Sequence, residues 1–189
     1  SAILATATLP LALREKLLAV YDGSSDEKAY PALTIAGGQS VTKFSTDDRP
    51  VKGPVIIERL SSEADAVKLI ASKAASGAAC VWIRNAVDDA IKAVELLKVS
   101  GIDAQLLHAR FALWDRKKTE ADILDRVGKN GGDRKGFVLV GTQVLESSLD
   151  LDFDVMVSDI APVAALIQRA GRLWRHMDIR PSDCRPVQS

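Results

Sequence analysis

After Pro54, short apolar segments alternate along the chain with longer amphipathic segments, and this alternation limits the possible folds more than any other feature. The apolar segments have the length and composition of buried strands, whereas the amphipathic segments have the periodicity of helices. Strands that alternate with helices form a parallel sheet whose two faces the helices cover. The sequence therefore predicts an α/β fold with a parallel sheet and helices on both faces.

Each predicted element lies between turn residues. Strands are predicted at 55–60 (VIIERL), 79–83 (ACVWI), 104–108 (AQLLH), 137–141 (FVLVG) and 153–158 (FDVMVS). Helices are predicted at 61–75 with a cap at Ser61 or Ser62, at 86–98 with a cap at Asn85, at 113–127 and at 163–175. Nearer the start, a strand is predicted at 3–10, a helix from Pro10 to Asp22, and a turn-rich linker with one short strand at 30–36.

The composition bears on partners and compartment. The 25 basic and 25 acidic side chains leave a formal net charge of zero, so overall charge gives no sign of a nucleic-acid or membrane partner. Cys80 lies in an apolar run and is interpreted as a core thiol, whereas Cys184 lies in a polar tail. Their separation indicates neither a disulfide framework nor a metal site. Because no apolar run approaches the roughly 18 residues that span a bilayer, we expect a cytoplasmic protein with no membrane partner.

Polar and cationic residues follow the predicted strands at the point where each strand ends. Ligands of such sheets bind at the carboxyl ends of the strands, so these residues are candidates for a site. They are Arg84 and Asn85, His108 to Arg110, Gly141 to Gln143, and the segment that leads to Gln168. We expect all four sets to lie on one edge of the sheet.

The predicted helix at 163–175 carries a polar stripe. A step of about 100° per residue places Gln168, Arg172 and Arg175 on one side of this helix, opposite its apolar face, and Arg169 near the border. Guanidinium groups are planar and permanently charged, so a pair of them suits phosphate oxygens. The alternative is a solvated surface, or ion pairs with nearby aspartates such as those at 150 and 152, and the spacing alone leaves both interpretations open.

Several segments resemble helicase motifs in the order that the family has them. GTQVLESSLDLDFD (141–154) and IQRAGRLWRH (167–176) resemble motifs V and VI of superfamily 2 helicases. In this form they are most similar to the CRISPR-associated helicase-nuclease of type I systems. LATATLP (4–10) resembles motif III, ACVWIRNAVDDA (79–90) motif IV, and LLHARFALWDR (106–116) the family motif that follows.

The resemblance implies two RecA-like domains of the P-loop NTPase type, with ATP in the cleft between them and single-stranded nucleic acid across the top. On this interpretation, the chain comprises the tail of the first domain (1–21), a linker (22–54), the second domain (55–178) and a tail (179–189). No Walker A sequence is present, so we expect Mg²⁺ to be held mainly by the missing first domain. We also expect that this chain alone neither hydrolyses ATP nor cuts DNA.

The resemblance also implies roles for individual residues. Arg172 and Arg175 would be arginine fingers on the γ-phosphate of ATP, Gln168 would contact that phosphate or position the attacking water, and Asp150 would contact the ribose or orient the fingers. Contacts to single-stranded DNA are implied for Thr142, Gln143, Arg84, Asn85 and Arg110. Coupling between the two sites is implied for Thr6, Thr8, Glu146 and Arg169, and Glu146 needs a cationic partner, for which Arg169 is the candidate.

Other polar and aromatic residues have simpler interpretations. Trp82 and Trp114 are interpreted as core and interface packing residues, and Trp174 as a packing residue on the core face of its helix, rather than as platforms for bases. His108 is interpreted as a residue whose hydrogen bonds are satisfied within the fold.

Three functions are compatible with these features. The first is the second motor domain of an ATP-driven DNA translocase in CRISPR antiviral defence, with an RNA-guided surveillance complex and the first RecA-like domain as partners. The others are a general superfamily 2 RNA or DNA helicase and a non-motor module that binds nucleic acid or a partner protein.

Overall fold

The computed structural model describes residues 8–24, 34, 55–147 and 149–180. The chain separates into two compact units, residues 1–54 and 55–189. In the first unit, helix α1 (Leu11–Ala19) follows Pro10, as predicted. Most of the predicted strands at 3–10 and 30–36, the candidate coupling residue Thr6, and the end of the tail with Cys184 lie outside the described residues.

The second unit contains a parallel sheet, as the alternating pattern predicted. Its strands are β1 (Cys80–Ile83), β2 (Gln105–Leu107), β3 (Val138–Gly141) and β4 (Val155–Ser158), in the spatial order β2-β3-β1-β4. Each neighbouring pair is parallel. Ile83 lies beside Gly141 and Ser158, and Leu107 also lies beside Gly141, so the four strands end at one edge.

Helices cover both faces of this sheet. They are α2 (Glu63–Ala75), α3 (Val87–Val99), α4 (Leu113–Val127) and α5 (Val144–Ser147), whereas α6 (Val163–Ala170), which follows β4, leaves Val163 and Ile167 exposed. Val81 and Ile83 of β1 point into one apolar cluster, which includes residues of α4 and α5. Cys80 and Trp82 point into a second cluster with residues of α2 and α3. The α/β fold with two covered faces is therefore confirmed.

Two local predictions in this unit are confirmed by their contacts. Ser62 caps α2, since its Oγ accepts a hydrogen bond of 3.1 Å from the backbone N–H of Asp65. Cys80 is fully buried, and burial together with the nearby Asp154 raises the pKa of its thiol to about 12. None of the helices in the described part of the chain is long and apolar enough to cross a membrane.

The predicted strand at 55–60 is wrong. These residues have no regular structure, and the side chains of Ile56 and Ile57 are 84% and 87% exposed. A strand is stable only when its backbone groups pair with a neighbouring strand. Among the described residues, the four strands pair only with one another, so an apolar composition was not sufficient here.

The predicted helix at 163–175 is too long. Helix α6 ends at Ala170, and the N–H of Gly171 makes the last helical hydrogen bond, to the carbonyl of Ile167 (2.9 Å). Beyond this point, the backbone pairs with Phe153, which donates to the carbonyl of Arg172 (2.9 Å) and accepts from the N–H of Trp174 (3.0 Å). This tertiary pairing replaces helical bonds, so the stripe predicted from helical spacing does not exist beyond residue 170.

Candidate functional site

The carboxyl edge of the sheet brings together the segments that the sequence singled out. The N–H of Arg84 donates to the carbonyl of Gly141 (2.8 Å), and the N–H of Thr142 donates to the carbonyl of Leu107 (3.3 Å). The side-chain amide of Gln143 donates to the carbonyl of Asn85 (2.9 Å). The segments after β1, β2 and β3 therefore meet at one edge, as predicted.

Arg169 lies at the centre of this edge and is 2% exposed. Its Nε donates to Glu146 Oε1 (2.8 Å), its Nη1 to Ser158 Oγ (2.8 Å), and its Nη2 to Asn85 Oδ1 (3.0 Å). A buried charge is tolerated when it is paired and hydrogen-bonded, and here the guanidinium links segments that follow β1, β3 and β4. The Glu146–Arg169 pair is the one expected from the sequence, but Arg169 is buried rather than at the border of a helical face.

The prediction that Asn85 caps α3 is wrong. Helix α3 begins at Val87, its cap residue is Ala86, and no side chain caps it. The Asn85 amide instead donates to the carbonyl of Ile160 (2.8 Å) while its oxygen accepts from Arg169 (3.0 Å). The side chain thus joins two segments that are distant in sequence, which local spacing could not reveal.

Arg172, in the segment that follows α6, carries a buried positive charge that is incompletely compensated. Its side chain is buried, Nη2 donates to the carbonyl of Glu146 (2.6 Å), and Nε has no hydrogen-bond partner in the structure. Burial and the nearby Arg175 lower the pKa of Arg172, and Asp150 only partly opposes them. The protonated guanidinium is therefore in a setting that an additional anion would stabilise.

Arg175 is half-exposed and is held at two points. Its Nε lies 2.5 Å from Asp150 Oδ1, and its backbone N–H donates to Asp152 Oδ1 (2.7 Å). The interpretation in which these arginines pair with Asp150 and Asp152 therefore describes Arg175 correctly. His176 Nε2 also lies 3.1 Å from Asp150. Gln168 is half-buried in the last turn of α6.

A second cluster, which the sequence analysis missed, surrounds Asp152. This carboxylate is 1% exposed and accepts from Arg180 Nε (2.6 Å), while Arg134 Nη2 donates to the Asp152 carbonyl (2.8 Å). Burial, the largest influence, raises the pKa of Asp152, but the hydrogen bond and charge of Arg180, with Arg134 and the N–H of Arg175, lower it overall. The sequence does contain a signal for this cluster, which is the alternation of apolar and acidic residues in LDLDFD. In an extended segment, this alternation places the aspartates on one face and the apolar side chains on the other.

A cavity of about 360 Å³ lies beside this cluster. It is lined by the glycine-rich segment 128–132 and by Arg134, Asp152, Ile179 and Arg180. Among the described residues, no group of three or more histidine, cysteine, aspartate or glutamate side chains could hold a metal ion.

The two arginines proposed from the resemblance to contact DNA differ in their surroundings. Arg84 is 7% exposed, and its guanidinium donates to Glu63 (2.9 Å) and Asp159 (3.1 Å). These partners raise its pKa although burial, the largest influence, lowers it. Arg110 is exposed and pairs with the exposed Asp88 (2.9 Å), a contact that solvent and salt weaken. A role in DNA binding stays a prediction for both.

The histidine at the end of β2 and the three tryptophans differ in their burial. His108 Nδ1 accepts a hydrogen bond from the N–H of Arg110 (3.2 Å), which confirms the prediction that this histidine finds a hydrogen-bond partner within the fold. Trp82 is 2% exposed and belongs to the core, as predicted, and Trp174 is half-buried at a positive φ of 47°. Trp114, however, is 80% exposed, so it is not a core residue of this chain, and its packing at an interface stays a prediction.

Comparisons with known proteins identify relatives of this chain. The family described as CRISPR-associated nuclease/helicase Cas3, C-terminal, matches residues 76–178. The CRISPR-associated endonuclease/helicase Cas3 of Escherichia coli (strain K12) is 34% identical over 192 residues, which is 93% of this chain and 22% of that protein. The corresponding nuclease/helicase of Streptococcus thermophilus is 34% identical over 197 residues, 95% of this chain and 21% of that protein. The chain thus spans about a fifth of the length of these curated relatives.

Solved structures agree with this assignment. The crystal structure of T. fusca Cas3-ADP superposes with a TM-score of 0.73 at 30% identity and covers 95% of this chain and 25% of that one. A chain of a CRISPR RNA-guided surveillance complex in a pre-nicking state superposes with a TM-score of 0.56 at 36% identity, over 66% of this chain and 16% of that one.

Proposed function

The chain belongs to the Cas3 family, in which it matches the C-terminal helicase region, and on this premise we propose that it is the second motor domain of an ATP-dependent DNA translocase. In this role it supplies cationic groups to ATP from the segment that follows α6, which carries Arg172 and Arg175. The longer protein that contains it loads onto DNA at an RNA-guided surveillance complex. One structural neighbour is a chain of such a complex, and this similarity supports the proposed partner.

The setting of Arg172 is the observation that carries the proposal. Its guanidinium is buried, its Nε lacks a partner, and the positive charge of Arg175 disfavours its protonated form. Such an arrangement costs stability unless an anion completes it. The γ-phosphate of ATP, bound between two RecA-like domains, provides an anion whose charge is spread over its oxygens as the bond to the β-phosphate breaks.

Neighbouring groups hold the two fingers in place. The carbonyl of Glu146 accepts from Arg172, while Asp150 and Asp152 fix the side chain and backbone of Arg175. Asp150 therefore serves as the residue that orients Arg175. Gln168, at the end of α6, contacts the γ-phosphate or positions the attacking water.

The remaining residues of the edge serve the nucleic acid and the coupling between sites. Thr142 and Gln143 follow β3 directly and are the proposed contacts to the strand when the two domains close on ATP; Gln143 is exposed, whereas Thr142 is 2% exposed in this chain. Glu146 and Arg169 connect this segment to the arginine-bearing segment through a buried ion pair of 2.8 Å. Mg²⁺ accompanies ATP and is held mainly by the first RecA-like domain.

The proposal is tested in a two-domain protein that carries this chain behind a first RecA-like domain. We expect single-stranded DNA to stimulate its ATP hydrolysis, and Arg172→Ala to lower kcat by a factor on the order of 10³. The chain without the first domain is expected to show no turnover above background.

Arg126→Ala is the matched control. Arg126 is a half-exposed arginine in the last turn of α4, away from the carboxyl edge, and its loss should leave kcat within about twofold of the parent value. Unchanged turnover in Arg172→Ala would instead favour a non-motor binding module with the same fold.

A further inference from the structure

The start of α4 exposes an unusual amount of apolar surface. Leu113 and Trp114 are 69% and 80% exposed, although both are large apolar side chains in the first turn of a well-formed helix. Helix α4 follows β2, so this turn lies on the side of the sheet where the strands end. An indole this exposed buries little apolar area in this fold and is available to a ligand.

Basic side chains accompany the indole. From Arg110 to Lys118 the sequence contains four basic residues and one acidic residue, Asp115, in a chain with no net charge. Lys117 and Lys118 follow Trp114 by three and four positions, so they share its helix face, and both are exposed. We call Trp114, Lys117 and Lys118 the basic-aromatic face.

We propose that the basic-aromatic face binds single-stranded nucleic acid, with one base stacked on Trp114 and the adjoining phosphates on Lys117 and Lys118. This inference rests on the proposed function, and it locates the next contact of the single-stranded nucleic acid after the segment that contains Thr142. A stacking platform flanked by cations matches a single strand, whose bases are accessible and whose phosphates are evenly spaced. A protein partner would match the indole equally well but would not need the two lysines.

The test uses the 189-residue chain and a fluorescein-labelled dT20 strand at low salt. Fluorescence anisotropy should show Trp114→Ala weakening binding about fivefold or more, because base stacking on an aromatic ring contributes that much or more. Trp114→Phe retains an aromatic ring and should stay within about twofold. Val99→Ala removes an exposed apolar side chain at the far end of α3 and should bind as the parent chain does.

A second readout locates the contact directly. Irradiation of the chain with a dT20 strand that contains 5-iododeoxyuridine should crosslink the peptide with Trp114, and Lys117→Ala/Lys118→Ala should flatten the salt dependence of binding. Unchanged affinity of Trp114→Ala, or crosslinks that omit this peptide, would overturn the inference. So would equal losses in Trp114→Ala and Trp114→Phe with a lowered melting temperature, since the indole would then be a packing residue.

Failure here and failure of the proposed function are distinguishable. If Arg172→Ala abolishes ATP turnover while Trp114→Ala binds dT20 normally, the motor assignment stands and only the stacking site is wrong. If Arg172→Ala has no effect while Trp114→Ala weakens binding, the chain is a nucleic-acid module without a motor role.

Discussion

Replacing Arg169 tests whether the carboxyl edge depends on one buried cation. Arg169→Met keeps an unbranched, flexible side chain, although a shorter one, and leaves Glu146, Ser158 and Asn85 without the donor that they share. Removing one partner of a buried ion pair costs about 3–5 kcal/mol. Because the side chain of Glu146 retains 17% exposure, water can partly solvate its carboxylate, so we expect a loss near the lower end, about 3 kcal/mol.

Urea denaturation followed by tryptophan fluorescence measures this loss, since Trp82 of β1 is buried in the core. Arg116→Met is the matched control. Arg116 pairs with Glu120 at 2.7 Å within one helix and is 28% exposed, so its removal should cost less than about 1 kcal/mol.

A double variant separates the unpaired charge from lost packing. In the Arg169→Met background, Glu146→Gln removes the stranded carboxylate, so the double variant should be at least about 1 kcal/mol more stable than the sum of the two single losses predicts. Equal costs for Arg169→Met and Arg116→Met, or strictly additive single losses, would refute the view that Arg169 holds this edge together.

Two further substitutions test the segments that surround the site. Asp152→Asn should lower the free energy of unfolding at neutral pH. Because the pKa of Asp152 is lowered in the fold, the difference in free energy of unfolding between parent and variant should narrow as the pH falls below the ordinary pKa of 3.8. Urea denaturation at a series of acidic pH values measures this difference, and a constant difference down to low pH would contradict the prediction. Gly128→Ala should cost about 1–3 kcal/mol in urea denaturation, since its Cβ would lie 2.4 Å from the carbonyl oxygen of Leu124, whereas Gly132→Ala meets nothing within 4 Å and should change stability by less than about 0.5 kcal/mol. Equal effects of the two alanines would show that this close approach is relieved at little cost.

The sheet was predictable from the sequence because short apolar runs and helical periodicity carry its information locally. Strands β1 to β4 and helix α4 lie where VWI, QLL, VLV, VMV and LWDRKKTEADILDRV placed them. The convergence of Arg84, Thr142 and Gln143 on one edge followed from parallel topology alone. These predictions needed only that each element have one dominant pattern.

The errors share a different cause, which is competition from distant parts of the chain. Helical spacing predicted continuity through Arg175, but backbone pairing with Phe153 ended α6 at Ala170. Asn85 had the chemistry of a helix cap but is used by Arg169 and Ile160 instead. The periodicity of the sequence reflects local structure only, so it cannot indicate such tertiary partners.

The contacts around Asp152 could not be predicted from local sequence for the same reason. Arg134 and Arg180 meet this carboxylate from positions 18 and 28 residues away. Their sequence neighbourhoods are a polar loop and a tail, which by themselves indicated no buried charge. Only the fold shows that the segment after Arg175 is anchored to Asp152, in the segment that precedes β4.

We propose that Arg172 acts on the reacting phosphate rather than on the fold. The most direct measurement is the single-turnover rate of ATP hydrolysis in the two-domain protein with Arg172→Ala, beside its dissociation constant for ATP. We expect the rate to fall on the order of 10³-fold with ATP still bound at accessible concentrations. A rate equal to that of the parent protein would show that the buried, incompletely paired guanidinium has no part in catalysis.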